Sequence, residues 1–137
     1  MTKYPEQTAG GFGNKPLALV IEDDLHLANI FATALVRAGF HAEIIGDGQQ
    51  ALQRLAVTIP TLVLLDLHLP HVSGGDILHS MRKDARLAET RVILATADAV
   101  RAELLYKEAD LVLLKPISFQ QLRDLAGRLH PPDVMGY

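Results

Sequence analysis

The chain has 137 residues, 49% of them hydrophobic, which is enough apolar material for one core and too much for disorder. The net charge is −3, 21% of residues are charged and no basic stripe is present, so nothing suggests a nucleic-acid surface; with no cysteine, disulfides and thiolate metal sites are excluded. No apolar run is long enough to cross a bilayer, and residues 1–15 lack the apolar core of a signal peptide, so a cytoplasmic protein without membrane insertion is expected.

Residues 1–15 carry Gly10, Gly11 and Gly13 and little that packs, and read as a flexible leader. Leu17 to Ile21 is an apolar run of strand type, followed at once by Glu22, Asp23 and Asp24. Residues 25–38 show helical period, with Leu27, Ile30, Phe31, Ala34, Leu35 and Ala38 on one face and Gly39 in the place of a left-handed cap. Phe40 to Ile45 is a second strand. Asp47 with Gln50 makes a capping pattern, and a helix to about Val57 turns Ala51, Leu52, Leu55 and Ala56 inward.

Pro60 closes that connection, and the run from Thr61 to Leu65 leads straight into Asp66, with Pro70 beyond. A loop to Gly75 precedes a short helix from Asp76 to about Asp84, apolar at Ile77, Leu78 and Met81. Arg91 to Ala95 is a fourth strand, ending in Thr96, Ala97 and Asp98. Residues 99–108 suffice only for a short helix. Leu111 to Leu114 is a fifth strand, ending in Lys115 and Pro116. Ser118 with Gln121 opens the last helix, which carries Leu122, Leu125, Ala126 and Leu129 at helical spacing until Pro131 and Pro132 stop it. Residues 131–137 are then a tail, and 16–130 the folded domain.

Alternating strands and helices imply right-handed βαβ units and a parallel sheet, and strands apolar on both faces need helices on both sides. In such a sheet the functional groups gather beyond the carboxyl ends of the strands. Four ends are polar here: Glu22 and Asp23, then Asp66, Thr96 and Lys115. Three carboxylates converging without a cation repel one another, and a hard divalent ion relieves this, Mg²⁺ being the usual one. A lysine and a hydroxyl opposite suit the oxygens of a phosphoryl group in transfer, with Asp66 as nucleophile forming an aspartyl phosphate.

The acidic pair after the first strand, Asp66-x-x-x-Pro70-x-x-x-Gly74, Thr96-Ala97 and Lys115-Pro116 stand together in the order of one family. Over residues 16–130 the chain resembles the receiver domain of two-component response regulators, CheY-like in type. The resemblance implies a flavodoxin-like three-layer α/β sandwich with a five-stranded parallel sheet in order 2-1-3-4-5. It implies Asp66 as phosphoacceptor, Asp23 as a direct Mg²⁺ ligand, Glu22 as a ligand through water, and the backbone carbonyl of His68 as a further ligand. Thr96 and Lys115 would contact the phosphoryl group, with the backbone N–H groups of Leu67 and Ala97 completing the cradle. The side chains of His68 and Asp98 would tune hydrolysis, and the Lys115–Pro116 bond would be cis. Implied partners are a histidine kinase or phosphotransfer protein and a downstream effector. The protein would be a monomer or a phosphorylation-dependent dimer without direct nucleic-acid contact. It would be no enzyme beyond promoting its own phosphorylation and dephosphorylation.

Some positions depart from the family. The usual aromatic three residues before the lysine is Val112, the span from Thr96 to Lys115 is a few residues short, Glu108 stands where glycine is common, and Ile117 replaces a frequent phenylalanine. A β-branched Val112 is stiff and has no ring to follow the threonine. The response is therefore expected in the backbone of residues 97–107. Two rival classes stay open. A phosphohydrolase of the aspartyl-phosphate type would want a second aspartate two residues after the nucleophile, where His68 stands. A degenerate receiver serving only as a binding module would have lost an acid or the lysine. Flavin binding would want a phosphate loop after the first strand, and none follows. Asp24 is read as a helix cap only, His68 and His71 as an insufficient metal pair, and His26, His41, His79 and His130 as solvated.

Overall fold

Strands that are apolar on both faces cannot rest against water, and the three central strands of the sheet are buried on both sides. The computed structural model of the protein describes residues 15–132. The expected leader and tail therefore fall outside the described residues, apart from Lys15, Pro131 and Pro132. The strands are β1 (Leu17–Ile21), β2 (His41–Ile45), β3 (Leu62–Leu65), β4 (Arg91–Thr96) and β5 (Leu111–Leu114). They form one parallel sheet in the order β2-β1-β3-β4-β5, as the resemblance implies. The helices between and after them are α1 (Leu25–Arg37), α2 (Gly48–Ala56), α3 (Gly74–Lys83), α4 (Ala99–Leu105) and α5 (Phe119–Leu129). Single 3₁₀ turns follow α3 (Ala85–Leu87) and α4 (Tyr106–Glu108).

The strand period of two divides the core cleanly. Ala18, Val20, Leu62, Leu64, Ile93 and Ala95 pack with Phe31 and Leu35 of α1 and with Leu122 and Ala126 of α5. Leu19, Ile21, Val63, Leu65, Val92 and Leu94 face the other way, onto Leu55 of α2, Ile77, Leu78 and Met81 of α3 and Leu105 of α4.

The capping residues behave as their chemistry dictates. Asp24 accepts from Leu27 N at 3.1 Å, Asp47 from Gln49 N and Gln50 N, and Ser118 from Gln121 N at 2.9 Å. One boundary differs by two residues. Helix α3 begins at Gly74 instead of Asp76, with Ser73 as its cap, because the glycines that read as loop are needed for a close approach. A Cβ on Gly74 would lie 2.1 Å from the carbonyl oxygen of Asp66. Strand β2 starts at His41, one residue later than expected, and α2 ends at Ala56.

The expectation of four solvated histidines holds for His26 and His79, which are exposed, and fails for His41 and His130, which are half-buried. The ring of His130 meets Phe40 edge-on at 5.1 Å, with Nε2 3.2 Å from the carbonyl of Gly39. Gly39 has φ +103°, and a Cβ there would come within 3.0 Å of that ring. His79 Nδ1 lies 2.8 Å from Glu108, and His41 lies 4.0 Å from Glu43. Folding brings these carboxylates from other helices and strands, which sequence spacing does not reveal.

Candidate functional site

Register builds the site. Strands β1 and β3 pair up to their last residues, Ile21 opposite Leu65, and Asp66 N donates to Ile21 O at 3.0 Å. Glu22 and Asp66 therefore emerge side by side. Leu65 lies opposite Leu94, so β4 extends two residues further, to Thr96. Thr96 pairs with Leu114, and Lys115 N donates to Thr96 O at 2.9 Å. By alternation Glu22 continues the phase of Ala18 and Val20, Asp66 that of Leu62 and Leu64, and Lys115 that of Leu113. All three belong to the α1–α5 side. Thr96 continues the phase of Val92 and Leu94 and belongs to the other.

Lys115 accordingly reaches across β4. Its Nζ lies 2.7 Å from Glu22 Oε1 and 3.6 Å from Asp66 Oδ2. Glu22 and Asp66 are buried, while Asp23 is exposed. Each of the three carboxylates offers an oxygen, and these oxygens all lie within 4.8 Å of one another. Burial pushes the Glu22 carboxyl above its ordinary range, the charge of Asp66 adds to the rise, and the bonds from Lys115 and Asp24 N only partly offset it. For Lys115, burial by itself would pull the ammonium down. The bond to Glu22 and the charges of Asp66 and Glu22 outweigh this and leave it raised. Three carboxylates against one ammonium leave the pocket with surplus negative charge. The oxygen-only donor set and that surplus fit a hard divalent cation.

The remaining expected residues line the rim. Thr96 is fully buried, and its Oγ1 accepts from Asp98 N at 3.0 Å. Leu67 packs into the core on the α2–α4 side, and its carbonyl accepts from Gly74 N at 3.0 Å. Ala97 is exposed. His68 N lies 3.3 Å from Asp66 Oδ1, while the His68 ring turns to Asp98, Nε2 to Oδ2 3.3 Å. The Asp98 carboxyl lies below its usual range, first because Arg101 N donates to it and then through its bond to His68. The Lys115–Pro116 peptide is cis. Val112 is half-buried against the α2–α4 core, and Tyr106 is exposed on its 3₁₀ turn.

The rings of His68 and His71 turn to different carboxylates, Asp98 and Asp47. His71, at φ +71°, places Nδ1 2.5 Å from Asp47 Oδ2. Glu22, Asp23 and Asp66 are the sole group of three metal-capable side chains found among the described residues. The reading of single motifs missed the direct bond of Lys115 to Glu22, since a side chain that crosses a whole strand leaves no spacing signal. It also missed Arg82, whose guanidinium ties α3 to Glu108 O at 2.8 Å, to Thr90 O at 3.1 Å and to Asp110 at 3.4 Å.

An acidic trio and a crossing lysine thus stand at the carboxyl edge of a doubly wound parallel sheet, the architecture of a receiver-type α/β protein. The family described as the response regulator receiver domain matches residues 18–126, and the chain belongs to it. It is 37% identical over 105 residues to the DNA-binding response regulator MtrA of Mycobacterium tuberculosis, covering 76% of this chain and 46% of that one. The chain thus spans about half the length of the curated relatives it matches. Among solved structures, it is similar to the signal receiver domain of a LuxO repressor protein from Vibrio parahaemolyticus. That match has a TM-score of 0.76 and 29% identity, over 84% of this chain and 89% of that one. It also shares the fold of the receiver domain of the sensor histidine kinase PA1611 from Pseudomonas aeruginosa, described with magnesium coordinated in its active-site cleft. There the TM-score is 0.75 at 21% identity, over 84% of this chain and 97% of that one. Response regulator receivers are signalling proteins, and among the described residues no helix is long and apolar enough to cross a membrane.

Proposed function

We propose that Asp66 accepts a phosphoryl group from a phosphohistidine on a histidine kinase or phosphotransfer protein, with Mg²⁺ bound, and that the protein signals by the change of conformation that follows. The observation that carries this reading is the position of Lys115, 2.7 Å from Glu22 and 3.6 Å from Asp66, beside three carboxylates with oxygens within 4.8 Å. An Asp66 oxygen attacks phosphorus, the bond from phosphorus to the imidazole nitrogen breaks, and the leaving imidazole takes up a proton. The product is an acyl phosphate.

Asp23, Asp66 and the carbonyl of His68 would hold the cation. When bound, it supplies positive charge shared between the acceptor carboxylate and the phosphoryl oxygens. The short bond of Glu22 to Lys115 supports a role for Glu22 through water rather than as a direct ligand. Lys115 and the Thr96 hydroxyl act on the phosphoryl oxygens, and the N–H groups of Leu67 and Ala97 complete the cradle. No second aspartate stands two residues after Asp66, where His68 lies, which favours a phosphoacceptor over a phosphohydrolase.

Intact mass after incubation with acetyl phosphate and Mg²⁺ tests the reading. The protein should gain one phosphoryl group and Asp66→Asn should gain none, because an amide cannot form the acyl phosphate. An equal gain in the Asn variant overturns the assignment.

A further inference from the structure

A receiver must pass its state from the acceptor to its surface, and Val112 offers no ring to do it. The geometry around α4 points to another route. Helix α4 lies on the first turn of α3 where Gly75 has no side chain. A methyl group at Gly75 would come within 3.3 Å of Arg101 Nη2 and 3.4 Å of Leu105 Cδ1. Gly74, one residue before, is pressed against the carbonyl of Asp66. The Arg101 guanidinium is thus seated one residue from the turn that touches the acceptor's own backbone. Its guanidinium makes no hydrogen bond or ion pair among the described residues; the Asp98 carboxylate acts on it through space, while the Arg101 backbone N–H donates to Asp98 at 3.0 Å. It is a cation held by no direct polar contact on an exposed residue.

The two ends of α4 are held differently. At its carboxyl end, Glu108 is fastened to α3 twice, through its side chain to His79 at 2.8 Å and through its carbonyl to Arg82 at 2.8 Å. At its amino end, the cap residue Asp98 reaches the exposed ring of His68 at 3.3 Å. The helix itself has seven residues. Such an element can pivot on its fastened end if something draws on its first turn.

We propose that Arg101 is the residue through which a phosphoryl group on Asp66 acts on α4, its guanidinium moving from its seat over Gly75 toward the acceptor and bringing the first turn of the helix with it. The proposal rests on Asp66 being the phosphoacceptor. Replacing a carboxylate by a phosphoryl group of about −2 charge adds about one negative charge to the site, and an arginine held by no direct polar contact responds to that charge. A state-dependent attraction of this kind is what a two-state element needs in order to shift. The chain's short connection after Thr96 and the histidine contact of Glu108 then serve as the pivot.

The test compares backbone chemical shifts with Mg²⁺ alone and with Mg²⁺ and beryllofluoride, for the parent, Arg101→Gln and Arg101→Lys. Gln keeps much of the stem that covers Gly75 and loses the charge; Lys keeps the charge. In the parent, residues 99–105 should shift. In Arg101→Gln that shift should fall to about half or less, with the shifts of Asp66 and Thr96 unchanged, and Arg101→Lys should recover most of it. A Gln variant that responds as fully as the parent, or a Lys variant as silent as Gln, overturns the proposal while leaving Asp66 as acceptor. A parent whose Asp66 and Thr96 ignore beryllofluoride overturns the acceptor reading, and the role of Arg101 with it.

Discussion

The ammonium of Lys115 lies 2.7 Å from the buried carboxylate of Glu22, closer than the 3.6 Å that separates it from Asp66. The lysine therefore neutralises Glu22 more directly than Asp66. The Glu22 side chain is 4% exposed, so removing the lysine alone leaves a buried carboxylate without its cation. Lys115→Met should cost about 2–4 kcal/mol in urea unfolding without divalent ions at neutral pH. The double variant Lys115→Met/Glu22→Gln should regain most of that loss, because no buried charge is then orphaned. Strictly additive losses would show that the pair is not coupled.

Acidity offers a separate view of the same carboxylate. The Glu22 carboxyl sits above its ordinary value of 4.5, chiefly through burial and then through the charge of Asp66. A group raised in the folded state contributes stability that is complete below its unfolded value and lost as pH rises through its folded value. Without divalent ions, Glu22→Gln should therefore gain stability on the parent as pH climbs from about 4.5 toward neutrality. Urea midpoints across that range decide the matter, and a gap that does not widen with pH would contradict it.

Two glycines should respond oppositely to one added methyl group. At Gly74 the new carbon would lie 2.1 Å from Asp66 O, an approach that only a backbone shift relieves. Gly74→Ala should cost about 3 kcal/mol or more. At Gly127, inside α5, nothing lies within 4 Å, and Gly127→Ala should stabilise by about 0.5–1 kcal/mol by narrowing the unfolded ensemble. Thermal unfolding of both variants tests the contrast, and equal signs would disprove it.

The sheet was legible because apolar runs in four of the five strands, separated by helical periods, leave a parallel sheet as the natural arrangement. The strand-end residues were legible for the same reason, since Glu22, Asp66, Thr96 and Lys115 each close such a run. What stayed hidden depends on contacts between distant elements. The structure starts α3 at Gly74 although Gly74 and Gly75 weaken a helix by propensity, because Asp66 O leaves no room for a side chain at Gly74. His130 reads as a solvated end of α5 until α1 brings Gly39 and Phe40 against it. Nothing in the spacing around Arg82 marks it, yet it satisfies carbonyls from two later segments.

The last prediction concerns the lifetime of the phosphorylated state. The ring of His68 and the carboxylate of Asp98 meet at 3.3 Å across the mouth of the site, joining the loop after β3 to the loop after β4. Asp98 also caps α4 through Arg101 N and donates its own N–H to Thr96 Oγ1, so it holds both the helix and the hydroxyl. On the proposed phosphorylation of Asp66, this pair would control the approach of water to the phosphoryl group. His68→Ala removes one half and leaves the Asp98 cap intact, so the change falls on access rather than on the fold. We predict that His68→Ala alters the rate of phosphoryl loss by about tenfold, which corresponds to about 1.4 kcal/mol in the barrier. Asp98→Asn keeps a capping oxygen and should move the rate in the same direction, and the double variant should move it little further, since either change breaks the same contact. Decay of the phosphorylated species after the donor is removed, followed by intact mass, reads all three rates. Rates that match the parent in both single variants would mean that the His68–Asp98 contact does not govern the approach of water.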